Sequence, residues 1–469
     1  MNNPKGVSSS LKRTLGLTSL ISIGVGVVVG QAPLVTVLQG VGINPTAFFV
    51  ALIIAFALTL GYIFTFTELS LMMPKAGGIS TYTEVAIGHL PAIVVTLAGY
   101  LGLAIFAGAA DIFLLNYILD VLYPDIFGHF GLLIFIVIIF LNIRGVDIFA
   151  SVQNILAFTM LAALLIIGLA GVSSSEVQDI PFANLIKDLG SLDWSLIPLT
   201  VLALWAFLGL EFICPMIEET KKPERNIPRA MIISSFILLL VYGMLALAGY
   251  HKVPGQELVD SSIPHWLLVK SIFGENGRFL MAILAITAAG SSFNTGLAAI
   301  SRMLYGMANN SQLPSVFSTL HKKFKTPWLS ILFPCSITLI IYAIFGNSQD
   351  TVITLMISAT TVWLLVYLIA HVDLIVLRRK YPKYHRPYKS PFYPLPQIIG
   401  IICMGYLIVN NSPSPEMTRD VYLNVGLLVG ITNIYAVFWI RYKMKKKFFK
   451  AEHIEKIIST HTNHKRKEE

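Results

Sequence analysis

At 469 residues the chain is long enough for about three soluble domains, yet 55% of it is hydrophobic, 13% is charged and its mean hydropathy is +0.73. A soluble globular chain carries about 25% charged residues, so too few polar side chains exist to coat water-facing domains and most of the surface must face lipid. The net charge of +9 does not point to nucleic acid, because the basic residues lie between and after apolar runs.

From Thr14 to Thr67 there is no Lys, Arg, Asp or Glu. As one helix this run would be roughly 80 Å long, against a hydrocarbon core of ~30 Å. It therefore holds two crossings, with Asn44-Pro45-Thr46 as the turn and helix start between them. The run is too long for the apolar core of a signal peptide, so the first span is expected to be retained. Hydropathy along the rest predicts twelve spans in all, near 14–41, 46–72, 91–121, 131–149, 152–172, 195–219, 228–251, 278–306, 328–346, 351–377, 395–410 and 421–441. Each is read as a helix, since a backbone in lipid must satisfy its own hydrogen bonds. With both ends on the inner, cytoplasmic side, 29 of the 34 Lys and Arg lie inside, all but Lys187, Lys252, Lys270, Arg278 and Arg419. That asymmetry fits the positive-inside rule for a protein of the cell membrane. The tail 442–469, with Lys445-Lys446-Lys447, reads as a solvated basic end able to touch anionic lipid.

Two spans are interrupted. The first reads Gly24-Val25-Gly26-Val27-Val28-Val29-Gly30-Gln31-Ala32-Pro33. Glycines weaken this helix and Pro33 lacks an N–H, so a break is expected near Gly30 to Ala32, with Pro33 opening the second half. The sixth reads Trp205-Ala206-Phe207-Leu208-Gly209-Leu210-Glu211, a glycine beside a polar group at mid-depth. Matching interruptions five spans apart are the mark of an inverted five-helix repeat. The organisation expected is an N-terminus at 1–13, repeats at 14–172 and 195–377, two extra helices within 395–441 and the tail.

An ionised group at mid-bilayer costs at least ~2.5–3.5 kcal/mol, which makes intramembrane acids candidate functional residues. Glu211 is placed at the start of the second half of span six, where free N–H groups face a cavity. A carboxyl there can load and release a proton, so it is a candidate for coupling or gating; the alternative is a permanently protonated packing residue. Asp111, mid-way along span three, is a second coupling candidate able to meet an ammonium or a cation. Glu68 reads as an ion-pair or capping residue, and His371 and Asp373 as interfacial. In span eight, Ser291 and Ser292 are either small packing residues or oxygen ligands for Na⁺. Cys214, Cys335 and Cys403 lie in apolar segments without metal or disulfide spacing. No cofactor motif or catalytic constellation is present, so an enzyme is not expected.

The most specific stretch is Phe207-Leu208-Gly209-Leu210-Glu211 followed by Glu218-Glu219-Thr220-Lys221-Lys222-Pro223-Glu224-Arg225-Asn226-Ile227-Pro228-Arg229-Ala230. With Pro74-Lys75-Ala76-Gly77-Gly78, Asn142-Ile143-Arg144-Gly145, Ser301-Arg302-Met303-Leu304-Tyr305-Gly306 and Arg386-Pro387-Tyr388-Lys389-Ser390-Pro391 in order, it resembles the amino acid–polyamine–organocation permeases over roughly residues 11 to 440. The resemblance implies an all-α membrane fold of five plus five inverted helices with two extra. It implies that Gly26, Gly30, Gln31 and Ala32 line the carboxylate end of the substrate site. The carbonyls of Phe207, Leu208 and Gly209 would then take the ammonium, Trp205 or Phe207 would occlude the site, and Glu211 would serve coupling. The chain departs from the pattern at Gln31-Ala32, where Ser-Gly is usual, at Met160, where some proton-coupled members have lysine, and at Asn309-Asn310, where Arg-Asp is frequent.

The expected function is therefore a secondary transporter of amino acids or related amines, working by alternating access as a proton symporter or an exchanger. Alternatives are Na⁺-coupled symport, polyamine transport, and a sensor that binds without moving substrate.

Overall fold

The computed structural model describes residues 11, 13–126, 128–173, 196–345, 348–411 and 415–457. Lys187 and the chain ends at 1–10 and 458–469 lie outside them. The described residues are helical apart from loops and one isolated parallel bridge, Leu15 to Thr220. In chain order the helices are α1 (Leu17–Val28), α2 (Gln31–Ile43), α3 (Pro45–Met72), α4 (Ile79–Ala86), α5 (His89–Leu122), α6 (Phe130–Ile143), α7 (Val146–Ser173) and α8 (Leu196–Trp205). After a 3-10 segment at Leu210–Glu219 come α9 (Pro223–Lys252), α10 (Gly255–Asp260), α11 (Pro264–Phe273), α12 (Gly277–Asn309), α13 (Trp328–Phe345), α14 (Gln349–Lys380), α15 (Leu395–Val409) and α16 (Pro415–Trp439).

Among the described residues, nine helical stretches are long and apolar enough to cross a membrane, and α1 with α2 forms a tenth, bent by 62°. α6 and α15 are apolar but only 14 and 15 residues long, short of the ~20 that span a bilayer upright. Large apolar side chains stand exposed on the outer faces, among them Phe140, Leu169, Phe279 and Ile434. A water-soluble surface does not carry them in such number.

Local sequence explains the boundaries. The Asn44 side chain accepts from the Ala47 N–H at 3.1 Å and Pro45 takes the first helical position, so α3 is capped where the sequence placed its start. The turn between α6 and α7 falls at Arg144-Gly145, earlier than hydropathy placed it, because the run Val146 to Ala150 keeps the average high although the chain has already turned. α1 lies centrally, packed against α7, α9, α12 and the 3-10 segment, while α14 packs against α5, α15 and α16.

One end of the bundle is locked by buried charges. Glu68 of α3 accepts two bonds from Arg378, at 2.6 and 2.7 Å, has Arg386 Nε at 2.9 Å, and accepts from the Ser390 N–H. Glu219 forms a two-bond pair with Arg302 of α12, both at 3.1 Å and both residues essentially unexposed. Its carbonyl also accepts the Thr14 and Leu15 N–H groups, which stitches the N-terminal segment to the same place. Glu84 accepts from Gln312 at 2.8 Å and lies 2.7 Å from His89 Nδ1. His371 and Asp373 are buried within the protein: His371 bonds Thr65 and Asp373 accepts from Thr83. Their segment has the polarity of a membrane edge, but α3 and α4 cover it.

Candidate functional site

The first break falls at Val29-Gly30, so the second half-helix starts at Gln31, two residues before Pro33. Proline still fits, since the first-turn N–H groups of a helix have no intrahelical acceptor. Pro33 contributes no donor, which leaves the N–H groups of Gln31 and Ala32 at the uncapped head of α2. The second break covers Ala206 to Gly209. Gly209 has φ +124°, a conformation that L side chains resist, and it precedes the 3-10 turn that carries Glu211.

The breaks are neighbours. A Cβ on Gly209 would sit 3.0 Å from Val28 and 3.4 Å from Val27. Their freed carbonyls are partly engaged: Tyr242 donates to Val28 O at 3.4 Å and Tyr62 to Phe207 O at 2.5 Å. Against both breaks lies a cavity of about 150 Å³, a size known to admit a benzene-sized molecule. Gly30, Gln31 and Ala32 line it from the first break, Trp205 and Leu208 from the second. Asp111 and Ser292 line it too, and Ser292 donates to Asp111 at 3.2 Å. Phe212 and Trp363 complete the aromatic wall.

Gly26, Phe207, Gly209, Glu211 and Ser291 are outside the lining. Gly26 lies one turn below it, where a Cβ would be within 2.1 Å of both the Ser291 hydroxyl and the Gln153 amide. Gln153 donates to Ser22 O at 2.9 Å and to Ser291 Oγ at 2.7 Å, and it accepts from Asn294. Ser291 and Ser292 therefore serve different clusters. Phe207 and Gly209 shape the second break from behind, and the Gly209 N–H donates to Tyr367 at 2.9 Å.

Glu211 is buried and accepts three bonds, from Tyr367 at 2.5 Å, Trp363 at 2.9 Å and Tyr100 at 3.3 Å. No Lys, Arg or His among the described residues pairs with it. Tyr367 receives from Gly209 while donating to Glu211, so the carboxyl and the break share one hydroxyl. Sequence reading missed this cage and Gln153. The i, i+4 spacing of Trp363 and Tyr367 on one face of α14, and an amide inside an apolar span, were the available signals.

A family model described as amino acid permease matches residues 15–444. The human cystine/glutamate transporter is 26% identical over 96% of this chain and 89% of its own length. The human large neutral amino acids transporter small subunit 2 is 28% identical over 92% of this chain and 81% of its own. The serine/threonine exchanger of Bacillus subtilis (strain 168) is 24% identical over 94% and 98%.

Proposed function

This chain belongs to the amino acid permease family, and from that premise we propose that it is a secondary transporter carrying amino acids across the cell membrane by alternating access. The observation that carries the reading is a single cavity touched by both broken spans. The N–H groups of Gln31 and Ala32, at the positive end of α2, take the α-carboxylate. The Leu208 backbone, where the chain is unwound, takes the α-ammonium, and Trp205, Phe212 and Trp363 shield the bound molecule. Phe207 and Gly209 set the shape of the unwound turn, and Gly26 lets α1 approach the Gln153 cluster.

The ten spans together with α6 and α15 number twelve, which supports a twelve-helix chain with both ends on one side; in this reading the repeats lie at 14–172 and 195–377 and the charge asymmetry makes that side cytoplasmic. A membrane thinner around short helices accommodates α6 and α15 at modest cost. The relatives are a transporter of cystine and glutamate, one of large neutral amino acids and a serine/threonine exchanger. They support amino acids over polyamines as the class.

Proton-linked symport or exchange is favoured over Na⁺. Of the two span-eight hydroxyls a Na⁺ site would use, Ser291 already accepts from Gln153 and Ser292 donates to Asp111, in different clusters. Glu211 is the coupling group in this reading, because its three donors come from two helices that flank the second break.

Counterflow in proteoliposomes tests the proposal. Vesicles preloaded with a mixture of amino acids should accumulate a labelled one, and a binding-only sensor would not. Gly209→Leu should abolish the exchange while the protein still inserts, since the new side chain meets Val28 and needs a disfavoured φ. Full counterflow by a well-expressed Gly209→Leu protein would remove the substrate from this place.

A further inference from the structure

We propose that the transported amino acid carries a second positive charge on its side chain, and that Asp111 is the counter-ion that selects it. The inference rests on the reading of the cavity as the substrate site and goes on to name the class of substrate.

The two acids near the breaks, Glu211 buried and Asp111 half-buried, differ in what they lack. Glu211 is outside the cavity lining and is satisfied by three donors. Asp111 is in the lining and has one hydrogen bond, from Ser292 at 3.2 Å. Among the described residues, no Lys, Arg or His lines the cavity. A carboxylate in a site of low dielectric, with one hydroxyl and no cation, is incomplete. A proton or a cation completes it, and the cation within its reach is one carried by what the cavity holds, the substrate.

The lining offers that substrate two poles. One is the head of α2, positive through its free N–H groups. The other is Asp111, negative. Ala104, Ala107 and Gly108, seven, four and three residues before Asp111, line the cavity from the same face of α5. Ala104 and Ala107 keep this wall low, which suits a slender methylene linker, while the Thr338 methyl lies 3.1 Å from where a Cβ on Gly108 would sit. Gln31, at the head of α2, is held by its amide nitrogen donating to Ala285 O at 3.1 Å, with its amide oxygen buried without a partner. A cavity of about 150 Å³ suits a short chain. The fitting chemistry is a diamino monocarboxylic acid of the ornithine or lysine kind. The carboxylate pole sets it apart from a plain diamine, which would leave the α2 head unanswered.

The test uses three probes, each one group apart from the first, in counterflow with purified full-length protein: ornithine, norleucine, in which a methyl replaces the terminal ammonium, and putrescine, which lacks the carboxylate. Ornithine should compete at a concentration about tenfold below either of the others, the ratio expected for one well-placed charge contact. Asp111→Asn should bring ornithine to within about threefold of norleucine by weakening ornithine alone. Equal or better competition by norleucine in the wild type overturns the inference. So does parallel loss of ornithine and norleucine in Asp111→Asn, which would assign Asp111 to the α-ammonium, and so does putrescine competing as well as ornithine. If Asp111→Asn fails to fold, Asp111→Glu and the wild-type ratios decide. Exchange of norleucine without ornithine defeats this inference and leaves amino acid transport standing. Exchange of neither, nor of any amino acid, defeats the transport reading itself.

Discussion

The charged end of the bundle and the region around the breaks hold the same kind of residue in opposite circumstances. At the end, Glu68 and Glu219 are buried against arginines with matched two-bond geometry, and Glu84 is held by Gln312 and His89. Near the breaks, Glu211 and Asp111 face only hydroxyl and indole donors. A buried acid with its own cation is committed to one arrangement, because separating the pair strands both charges. An acid held by neutral donors keeps the option of taking a proton or a ligand cation. The first kind fastens helices together; the second leaves something for transport to change.

The widest test of this contrast is Arg302→Ala. It leaves Glu219 buried and uncompensated, so stability in detergent should fall by about 3–5 kcal/mol, read as a lower melting temperature. Glu211→Gln removes no cationic partner and should cost less, about 1–2 kcal/mol through weakened hydrogen bonds. The reverse order of melting temperatures would erase the distinction between the two regions.

The second test asks whether Glu211 is free to change. Gln keeps the shape and an acceptor but is fixed as neutral. Glu211→Gln should still bind and exchange substrate, with initial uptake no longer responding to an imposed pH gradient. Undiminished proton-driven accumulation in the variant would reduce Glu211 to a packing residue.

The smallest effect is expected at the edge of the charged end. There Phe448 O accepts from the Leu90 N–H and the Glu452 N–H donates to Glu84 O, so the segment after α16 lies along α4 and α5. Burial alone would raise the Glu452 carboxyl, but Lys446 at 2.6 Å and Lys456 at 3.0 Å outweigh it and hold it at about 2. A carboxyl lowered on folding contributes stability that is present above its ordinary value of 4.5 and is lost as pH falls through about 2. Protease cleavage of this segment should therefore be flat from pH 8 to 5 and rise only below about 4.5. Glu452→Gln should be cut faster at pH 7 while global stability changes by less than about 1 kcal/mol. A wild-type tail already cut rapidly at pH 7 would show that these contacts do not hold it.

Much of this was legible in one dimension. The charge-free run, Asn44-Pro45, the glycines before Pro33 and Gly209 beside Glu211 are local features, and helices in lipid are governed by local composition. Placement of the first break two residues early, at Val29-Gly30, was less legible, because proline fits the first turn of a helix as readily as it stops one. The partner of Glu219 was not legible either. Lys221, Lys222 and Arg225 are its neighbours in sequence, yet Arg302, 83 residues away, makes the pair.

The sequence by itself determined that this is an all-helical membrane chain, where its main interruptions lie and which acids sit at apolar depth. Those follow from hydropathy, from backbone chemistry of glycine and proline, and from the cost of charge in lipid. Only the tertiary structure decided which acids are answered and which are not. Glu211 lies among Tyr100, Trp363 and Tyr367, while Asp111 opens into the cavity with Ser292 alone. Side chains more than 100 residues apart make the first environment, and no period or motif along the chain specifies which of them meet.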